Sequence, residues 1–272
     1  MATDQDALRV VNSSGFPLQI AVHNAVESAQ LPWRVVHKEH AWRNDLDGGY
    51  GFIDLVVQHS ETRDSVVVEC KRVQDSTWYF LDHGGAATAR LQCKAWSTYF
   101  EGENLKHFGW ADFAVQPSTP QAQFCCVRGQ SSNSGNTFLE RVAGELVSST
   151  EALALEERNY PGPPGGQPRL YFNVIVTTAE LQFAEFVAGA LSLDSGTLAD
   201  ANFHVVPYLR VRKQFSTHPE PLTAQQLSSR SDPDQFRENT VFVVTARHFG
   251  DFLRELAVNE IDFTSFRASL AR

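Results

Sequence analysis

The sequence is short of lysine and of positive charge. Only five of its 23 basic residues are lysines, and 32 acidic residues give the 272-residue chain a formal net charge of −9. Such a chain lacks the broadly basic surface that favours non-specific binding to nucleic acid, so any contact with nucleic acid must be local. Five lysines would give on the order of 0.6 acid-x-Lys triplets by chance, so such a triplet is weak evidence until its context is considered.

Cysteine and long apolar runs are also scarce. The four cysteines form no CxxC pair, and the adjacent Cys125 and Cys126 fit no common zinc-ligand spacing. These features favour a reduced, cytoplasmic protein. No apolar run reaches the roughly 18 residues that a membrane-spanning helix needs, and the acidic first residues do not resemble a signal peptide. We therefore expect no membrane partner.

The composition is that of an ordinary globular protein. Apolar residues make up 42% of the chain and charged residues 20%, which excludes collagen, a coiled coil and wholesale disorder. Proline and glycine are concentrated in residues 160–168, a pattern typical of a linker. We expect a core at 1–159 and a C-terminal α/β extension at 169–272, which either continues the core sheet or packs on it as a second lobe.

The pattern of apolar residues predicts an α/β fold with a mixed sheet flanked by helices. Apolar residues that recur every three to four positions indicate helices, and β-branched runs indicate strands. The predicted helices span residues 16–30, 86–100, 137–157, 179–190 and 248–258. The predicted strands span residues 33–42, 51–59, 65–73, 122–127, 170–176, 203–215 and 240–245.

Three charged residues stand out in the second and third predicted strands. Glu69 and Lys71 share one face of a valine-rich strand, where an unpaired charge would be costly. A hairpin symmetric about Glu61 and Thr62 would place Asp54 directly opposite Glu69, with Cβ atoms roughly 4.5–5.5 Å apart. Two carboxylates this close favour a divalent cation. We therefore predict a Mg²⁺ or Mn²⁺ site at Asp54 and Glu69, with Lys71 beside it to act on a water or a phosphate.

The first predicted helix, the three-stranded meander, Asp54 and the run Glu69-Cys70-Lys71 resemble the PD-(D/E)XK nuclease superfamily. The resemblance covers roughly residues 16–128, which would supply the αβββαβ core of this restriction-endonuclease-like fold. It implies metal-dependent hydrolysis of phosphodiester bonds, most often in DNA. By this likeness Asp54 and Glu69 are metal ligands and Lys71 is the catalytic lysine. The proline that precedes the aspartate in the family is replaced here by Ile53.

The resemblance implies two further site residues. Many members carry an acidic residue in the first helix, where Glu27 lies on a polar face with Gln19 and His23, so Glu27 is an expected extra metal ligand. A solvated helix face explains Glu27 equally well. Some members carry Gln-x-x-x-Tyr in the helix after the third strand, and Gln92 with Trp96 matches this pattern apart from the final residue. Gln92 is therefore a predicted catalytic-site residue, although Trp96 also suits a core position.

Several basic residues are candidates for phosphate contacts. They are Arg34, Lys38, Arg43, Arg72, Lys94, Arg210 and Arg212. Those in the first strand also suit a solvated strand edge. His37 and His40 flank Glu39, but residues three apart on a strand face opposite sides, so we expect no shared metal site there.

The functional expectation is a metal-dependent endonuclease, with DNA favoured over RNA and a role in prokaryotic defence or DNA processing implied by the resemblance. Three alternatives stay open: an inactive nuclease-like subunit, a protein whose acidic surface docks a protein partner, and a ribonuclease. The net charge of −9 predicts weak intrinsic affinity for nucleic acid. We therefore expect strong dependence on the divalent ion and on a protein partner or self-assembly.

Overall fold

Most of the chain that the structure describes is β-strand. The computed structural model describes residues 3–45, 48–74, 76–128, 138–160, 166–215 and 233–270. Within these residues the strands are β1 (Trp33–Arg43), β2 (Tyr50–His59), β3 (Ser65–Lys71), β4 (Thr77–Leu81), β5 (Ala89–Glu101), β6 (Asn104–Ala122), β7 (Phe124–Val127), β8 (Arg169–Thr177), β9 (Glu180–Glu185), β10 (Asn202–Val206), β11 (Tyr208–Lys213), β12 (Asn239–Thr245) and β13 (Ala257–Val258). The helices are α1 (Asp4–Ser13), α2 (Phe16–Ser28), α3 (Phe138–Glu156), α4 (Phe249–Glu255) and α5 (Glu260–Leu270).

A nine-stranded mixed sheet forms the centre of the molecule. β1, β2 and β3 make an antiparallel meander, and β8 pairs parallel with β3. β12 pairs parallel with the other edge of β8, followed by β11, β6 and β13, while β5 pairs with both β6 and the start of β8. Residues on both sides of the Pro/Gly segment therefore build one sheet, although residues 161–165 of that segment lie outside the described residues.

Each face of this sheet has its own apolar layer. On one face, Leu18, Val22 and Val26 of α2 pack on alternate residues of β2 and β3, together with α4. On the other face, α3 packs on the sheet beside a second, four-stranded sheet in the order β10-β9-β4-β7. All nine residues of β8 are buried, as expected for a strand covered on both faces of a parallel region.

Several predicted elements are confirmed. The structure has helices α2 and α3 and strands β1, β2, β3, β7, β8 and β12 where the sequence predicts them, within a few residues at each end. The α/β class is confirmed at this coarse level. The helix expected at 248–258 is shorter, because its last residues form β13, which pairs with β6. α1, α5, β4 and β6 were not predicted.

Two predicted helices are wrong. Residues 86–100 form most of β5, which is covered on both faces; Cys93 and Ala95 belong to one apolar layer and Trp96 packs against the other. Because both faces are covered, apolar and polar residues do not alternate along β5 as they do in a half-exposed strand. The spacing of its apolar residues then resembles that of a helix. Residues 179–190 form β9, with Leu181 and Phe183 buried, followed by a single 3₁₀ turn.

The long strand expected at 203–215 is two strands that belong to different sheets. β10 pairs with β9 in the second sheet, and β11 pairs with β12 in the large sheet. Pro207 lies between them. Because proline has no backbone N–H to donate to a ladder, it suits this crossing point.

Candidate active site

The hairpin of β2 and β3 has the register that the sequence predicts. The pairs run from Gln58 with Ser65 to Leu55 with Val68, which is the symmetry about Glu61 and Thr62. The ladder ends at Leu55 and Val68, and the next position along it brings Asp54 opposite Glu69. The two carboxylates therefore lie where β2 and β3 stop pairing.

Asp54 is held by one contact from each of two elements. Its Oδ2 accepts a 2.6 Å hydrogen bond from the backbone N–H of Cys70, and its Oδ1 accepts a 2.6 Å bond from Nε2 of Gln19 on α2. The first contact gives the backbone N–H of Cys70 a hydrogen-bond acceptor beyond the last paired residues of β2 and β3. The second fixes the orientation of the carboxylate from the side of α2.

Glu69 and Lys71 form a close ion pair along the same strand. Nζ of Lys71 lies 2.5 Å from Oε1 of Glu69, and the two side chains are 27% and 20% exposed. The carbonyl of Lys71 accepts a 2.8 Å hydrogen bond from Oγ1 of Thr177 at the end of β8. The end of β3 is thereby tied to the parallel strand beside it.

Glu39 is a third carboxylate near this site, which sequence reasoning missed. Lys38 pairs with Leu55 and His40 with Ile53, so Glu39 lies opposite Asp54 on β1. Its φ angle of 47° is left-handed, a conformation uncommon for residues other than glycine. The sequence carries little sign of this position, because the pairing of β1 with β2 shifts at Val35 and His37.

The alternation of β2 is interrupted at the same point. Ile53 and Val56 belong to the apolar layer beneath α3, whereas Leu55 belongs to the layer beneath α2. Asp54 contacts Gln19 of α2, so two consecutive residues of β2 face the α2 side. This interruption lies across from the left-handed Glu39 and turns the carboxylate of Asp54 towards β3.

Burial and crowding of charge disfavour ionisation of both central carboxylates. The pKa of Asp54 is raised to about 7, first by burial and then by the charge of Glu69, while the hydrogen bond from Cys70 opposes the rise. Burial also raises the pKa of Glu69, although Lys71 lowers it in part. Glu39 adds to both shifts, and Glu145 on α3 adds to that of Glu69. Positive charge placed between these carboxylates would relieve the repulsion.

Although Glu39 lies near Asp54 and Glu69, the described residues contain no ready-made metal site of three or more ligands. No group of three or more His, Cys, Asp or Glu side chains there has an arrangement that could hold a metal ion. Asp54 and Glu69 thus contribute two carboxylates to this region, and a metal ion bound between them would need further ligands from solvent or substrate.

Two of the predicted site residues lie away from this cluster. Glu27 accepts a 3.1 Å hydrogen bond from the backbone N–H of Val35, eight residues beyond Gln19 and thus about 12 Å along the axis of α2. The predicted polar face does reach Asp54, but through Gln19. Gln92 lies on β5, which pairs with β8 on the side opposite β3, so its predicted position on a helix beside Lys71 is wrong.

Three predicted phosphate contacts are structural residues of the sheet. Arg210 is fully buried and donates to Oγ1 of Thr119 and to the carbonyls of Gln92, Val115 and Pro117. Arg212 pairs with Asp112 and Glu238, and Lys94 donates to the carbonyl of Gln235. Burial and these contacts correct the prediction that the three residues bind nucleic acid.

The remaining basic candidates are accessible. Arg34, Lys38 and Arg43 lie on β1, the first strand in the sheet order, and all three are exposed. Arg43 forms a 2.9 Å ion pair with Asp45. Arg72 directly follows β3 and lines an open cleft together with Arg247, which sequence reasoning did not single out.

The two histidines of β1 are close together, contrary to the prediction. The ring centroids of His37 and His40 are 4.6 Å apart, and Nε2 of His40 lies 2.9 Å from Oε2 of Glu156. Strict alternation would separate them, but the register shift at His37 and the left-handed Glu39 bring both rings to one side. They face the C-terminal end of α3.

The comparisons with known proteins identify no relative. Among the described residues, no helix is both long enough and apolar enough to cross a membrane. No protein-family model matches the chain, and neither the curated proteins nor the solved structures include a match.

Proposed function

We propose that the protein is a metal-dependent nuclease whose active site is formed by Asp54, Glu69 and Lys71. The observation that carries the proposal is the placement of two carboxylates with raised pKa values and one lysine at neighbouring backbone positions where β2 and β3 stop pairing. Titratable groups with perturbed pKa values at a partly buried position are candidates for a functional site, and carboxylates with a lysine suit the cleavage of a phosphodiester.

The order of the elements supports this proposal. α2, the meander β1 to β3, then α3 and β8, with β8 parallel to β3, make the αβββαβ succession that the resemblance implies. This succession extends over residues 16–177 rather than 16–128, because β4 to β7 are inserted between β3 and α3. We infer a restriction-endonuclease-like core with this insertion.

The residues present fit a Mg²⁺ or Mn²⁺ ion. Both metals prefer oxygen ligands, and Mg²⁺ is commonly bound by one or two carboxylates together with water and substrate phosphate. Asp54 and Glu69 would hold the ion, and Glu39 would add negative charge opposite Asp54. A bound ion would supply Lewis-acid polarisation of the phosphate.

The side chains of this chain have separable roles in the proposed reaction. Gln19 and the N–H of Cys70 orient the carboxylate of Asp54. Lys71, now paired with Glu69, would orient a water for attack or offset the charge that develops on the phosphate. The exposed residues Arg34 and Lys38 lie on the neighbouring strand and would contact flanking phosphates.

DNA is the favoured substrate class, in a defence or DNA-processing role, and binding of intact nucleic acid is expected to be weak. The net charge of −9 opposes binding, and Arg210, Arg212 and Lys94 are engaged within the fold. Capture of the substrate would therefore depend on the divalent ion and on a protein partner or a second copy of the chain.

Cleavage assays with matched variants test the proposal. Supercoiled plasmid, linear duplex, single-stranded DNA and RNA are each incubated with Mg²⁺, Mn²⁺ or EDTA. Glu69→Gln and Lys71→Met are expected to lower cleavage at least about 100-fold. Glu61→Gln, in the turn of the same hairpin, and Lys106→Met, on a distant strand, are the controls and should cleave normally. Cleavage that persists in EDTA, or in both site variants, would show that the active site is elsewhere.

Metal binding provides a readout that is independent of cleavage. We expect Mn²⁺ to bind the wild-type protein and to bind Asp54→Asn and Glu69→Gln at least tenfold more weakly, as carboxylate ligands contribute most of such a site. Binding that depends on these carboxylates without cleavage of any substrate would favour the inactive nuclease-like subunit. Binding that is unaffected by either substitution would contradict the metal site.

A further inference from the structure

A second polar site lies at the C-terminal ends of the three parallel strands β3, β8 and β12. An open cleft of about 740 Å³ is lined there by residues that include Arg72, Ser76, Thr77, Thr178, Glu180 and Arg247. In sheets of this kind, ligands bind most often beyond the carboxyl ends of parallel strands. The position alone therefore makes the cleft a candidate binding site.

The two arginines of the cleft are available to a ligand. Neither guanidinium group has a hydrogen bond or an ion pair to another described residue, whereas Arg210 and Arg212 are fully engaged. Arg72 is half-buried after the end of β3, and Arg247 is exposed after the end of β12. Two unengaged guanidinium groups facing one cleft are suited to a phosphate oxygen.

A buried hydroxyl in the same cleft lacks a partner. Oγ of Ser76 is inaccessible to solvent and makes no hydrogen bond to any described residue. A buried polar atom without a partner costs free energy, and most such atoms in folded proteins are satisfied. Because Ser76 lines the cleft, a turn of its side chain towards the cleft would bring Oγ to a ligand oxygen and satisfy it.

Glu180 restricts the kind of anion that fits. Its carboxylate also lines the cleft and accepts a 2.5 Å hydrogen bond from Nε2 of Gln182. A bare inorganic anion would gain from the two arginines but would be repelled by this carboxylate. A ligand that carries both a phosphate and a hydrogen-bond donor, such as a nucleotide unit with its sugar hydroxyl or base amine, complements all of these groups.

The cleft adjoins the proposed active site along the backbone of β3. Arg72 follows Lys71 directly, and Thr178, which lines the cleft, donates its N–H to the Lys71 carbonyl at 3.4 Å. We propose that the cleft binds a nucleotide unit of the substrate strand next to the one at Asp54 and Glu69, with its phosphodiester held by Arg72, Arg247 and Ser76. This inference rests on the proposed nuclease function and adds to it the path that the nucleic-acid strand follows across the protein.

Binding measured without metal tests the cleft separately from cleavage. The probe is a fluorescein-labelled single-stranded 12-nucleotide DNA in EDTA, titrated with the 272-residue protein first at low salt, where weak electrostatic binding is measurable, and then at higher salt concentrations. Arg72→Gln and Arg247→Gln are each expected to weaken binding about tenfold and to reduce the salt dependence by roughly one ion. Arg90→Gln, an exposed arginine on β5, is the matched control and should change binding less than twofold.

Substitution of Ser76 distinguishes a ligand-binding role of its hydroxyl from a purely structural one. Ser76→Ala removes an unsatisfied buried hydroxyl, so the variant should be at least as stable as the wild type in urea, yet bind the oligonucleotide about threefold more weakly. Loss of both stability and binding would instead indicate a structural hydroxyl and contradict the assignment.

The outcomes for the cleft and for the nuclease are distinguishable. Equal binding by the wild type and by both arginine variants, or no binding by the wild type, would overturn the cleft whatever the cleavage assays show. Binding of mononucleotide or inorganic phosphate, but not of the oligonucleotide, would overturn the proposed path of the nucleic-acid strand. Oligonucleotide binding that depends on Arg72 and Arg247 would support the cleft even if no substrate were cleaved.

Discussion

Gln19 on α2 donates a 2.6 Å hydrogen bond from Nε2 to Oδ1 of Asp54 on β2. This contact joins α2 to the carboxylate site, and a neutral amide thus occupies the role for which an acidic side chain of this helix, Glu27, is expected from the sequence. A neutral donor at this position favours the ionised form of Asp54 without adding negative charge. Gln19 is thus a positioning residue for the proposed metal ligand.

Removal of this donor should shift the pH dependence of metal binding. In Gln19→Met the ionised form of Asp54 loses a charge-assisted hydrogen bond of about 1.5 kcal/mol. The pH of half-maximal Mn²⁺ binding should therefore rise by roughly one unit. Asn24→Ala, on an exposed part of α2, should leave the titration unchanged, and an unshifted midpoint in Gln19→Met would contradict the role of Gln19.

Asp54 should make the metal-free protein less stable as the pH rises. Its pKa is about 7 in the folded protein and about 3.9 in an unfolded chain, so between these values only the folded protein binds the proton. The free energy of unfolding therefore falls across this window and the loss is complete above pH 7. Asp54→Asn removes this loss and should gain about 1–3 kcal/mol over the wild type at pH 8, but little at pH 4.

Urea denaturation in EDTA at both pH values provides the measurement. The pKa of buried Asp64 is also raised to about 7, but Asp64 is present in both proteins and its contribution cancels in the comparison. A stability difference between Asp54→Asn and the wild type that does not change with pH would contradict the prediction. Added Mg²⁺ should stabilise the wild type at pH 8 and have little effect on the variant.

Asp64 is expected to act on stability through hydrogen bonding. Its Oδ1 accepts from the N–H of Leu170 at 3.0 Å and its Oδ2 accepts from Oγ1 of Thr62 at 2.7 Å. Asp64→Ala leaves the buried N–H of Leu170 without an acceptor and should cost about 2–4 kcal/mol. Asp64→Asn keeps an acceptor and should cost much less at pH 8. Equal stability of the two variants in urea would contradict this explanation.

Arg210 is expected to be essential for the fold. Arg210→Met leaves the carbonyls of Gln92, Val115 and Pro117 without their buried donor and should cost about 3 kcal/mol or more. Arg34→Met, at an exposed position of β1, should change stability by less than about 0.5 kcal/mol. Chemical denaturation compares the two variants. A stable Arg210→Met protein with weakened DNA binding would restore the phosphate-contact interpretation.

Local features of the candidate site could be predicted from the sequence. The register of β2 and β3 follows from a short turn and two β-branched strands, so Asp54 could be aligned with Glu69 from residue counting alone. Glu39 could not be aligned, because the shift between Val35 and His37 and a left-handed residue depend on tertiary packing. For the same reason the proximity of His37 and His40 was not predictable.

Non-local features could not be predicted. Arg72 and Arg247 line one cleft because β3, β8 and β12 pair in parallel, and parallel pairing leaves no signal in nearby sequence. β4 to β7 lie between β3 and α3, and one of them, β5, was predicted to be a helix. Arg210 and Arg212 share the spacing of a phosphate-binding stripe, but β6 and β12 enclose them.

β3 is far in sequence from β8 and β12, so these strands leave the ribosome at different times during synthesis. Asp54, Glu69 and Lys71 emerge early, but β3 has no neighbour on its second edge until residues 169–177 follow, and β8 in turn waits for β12. Arg247 emerges after both. A nascent chain would therefore contain the carboxylates well before the cleft lined by Arg72 and Arg247 can form, and an interrupted polypeptide could not complete the proposed path for a nucleic-acid strand.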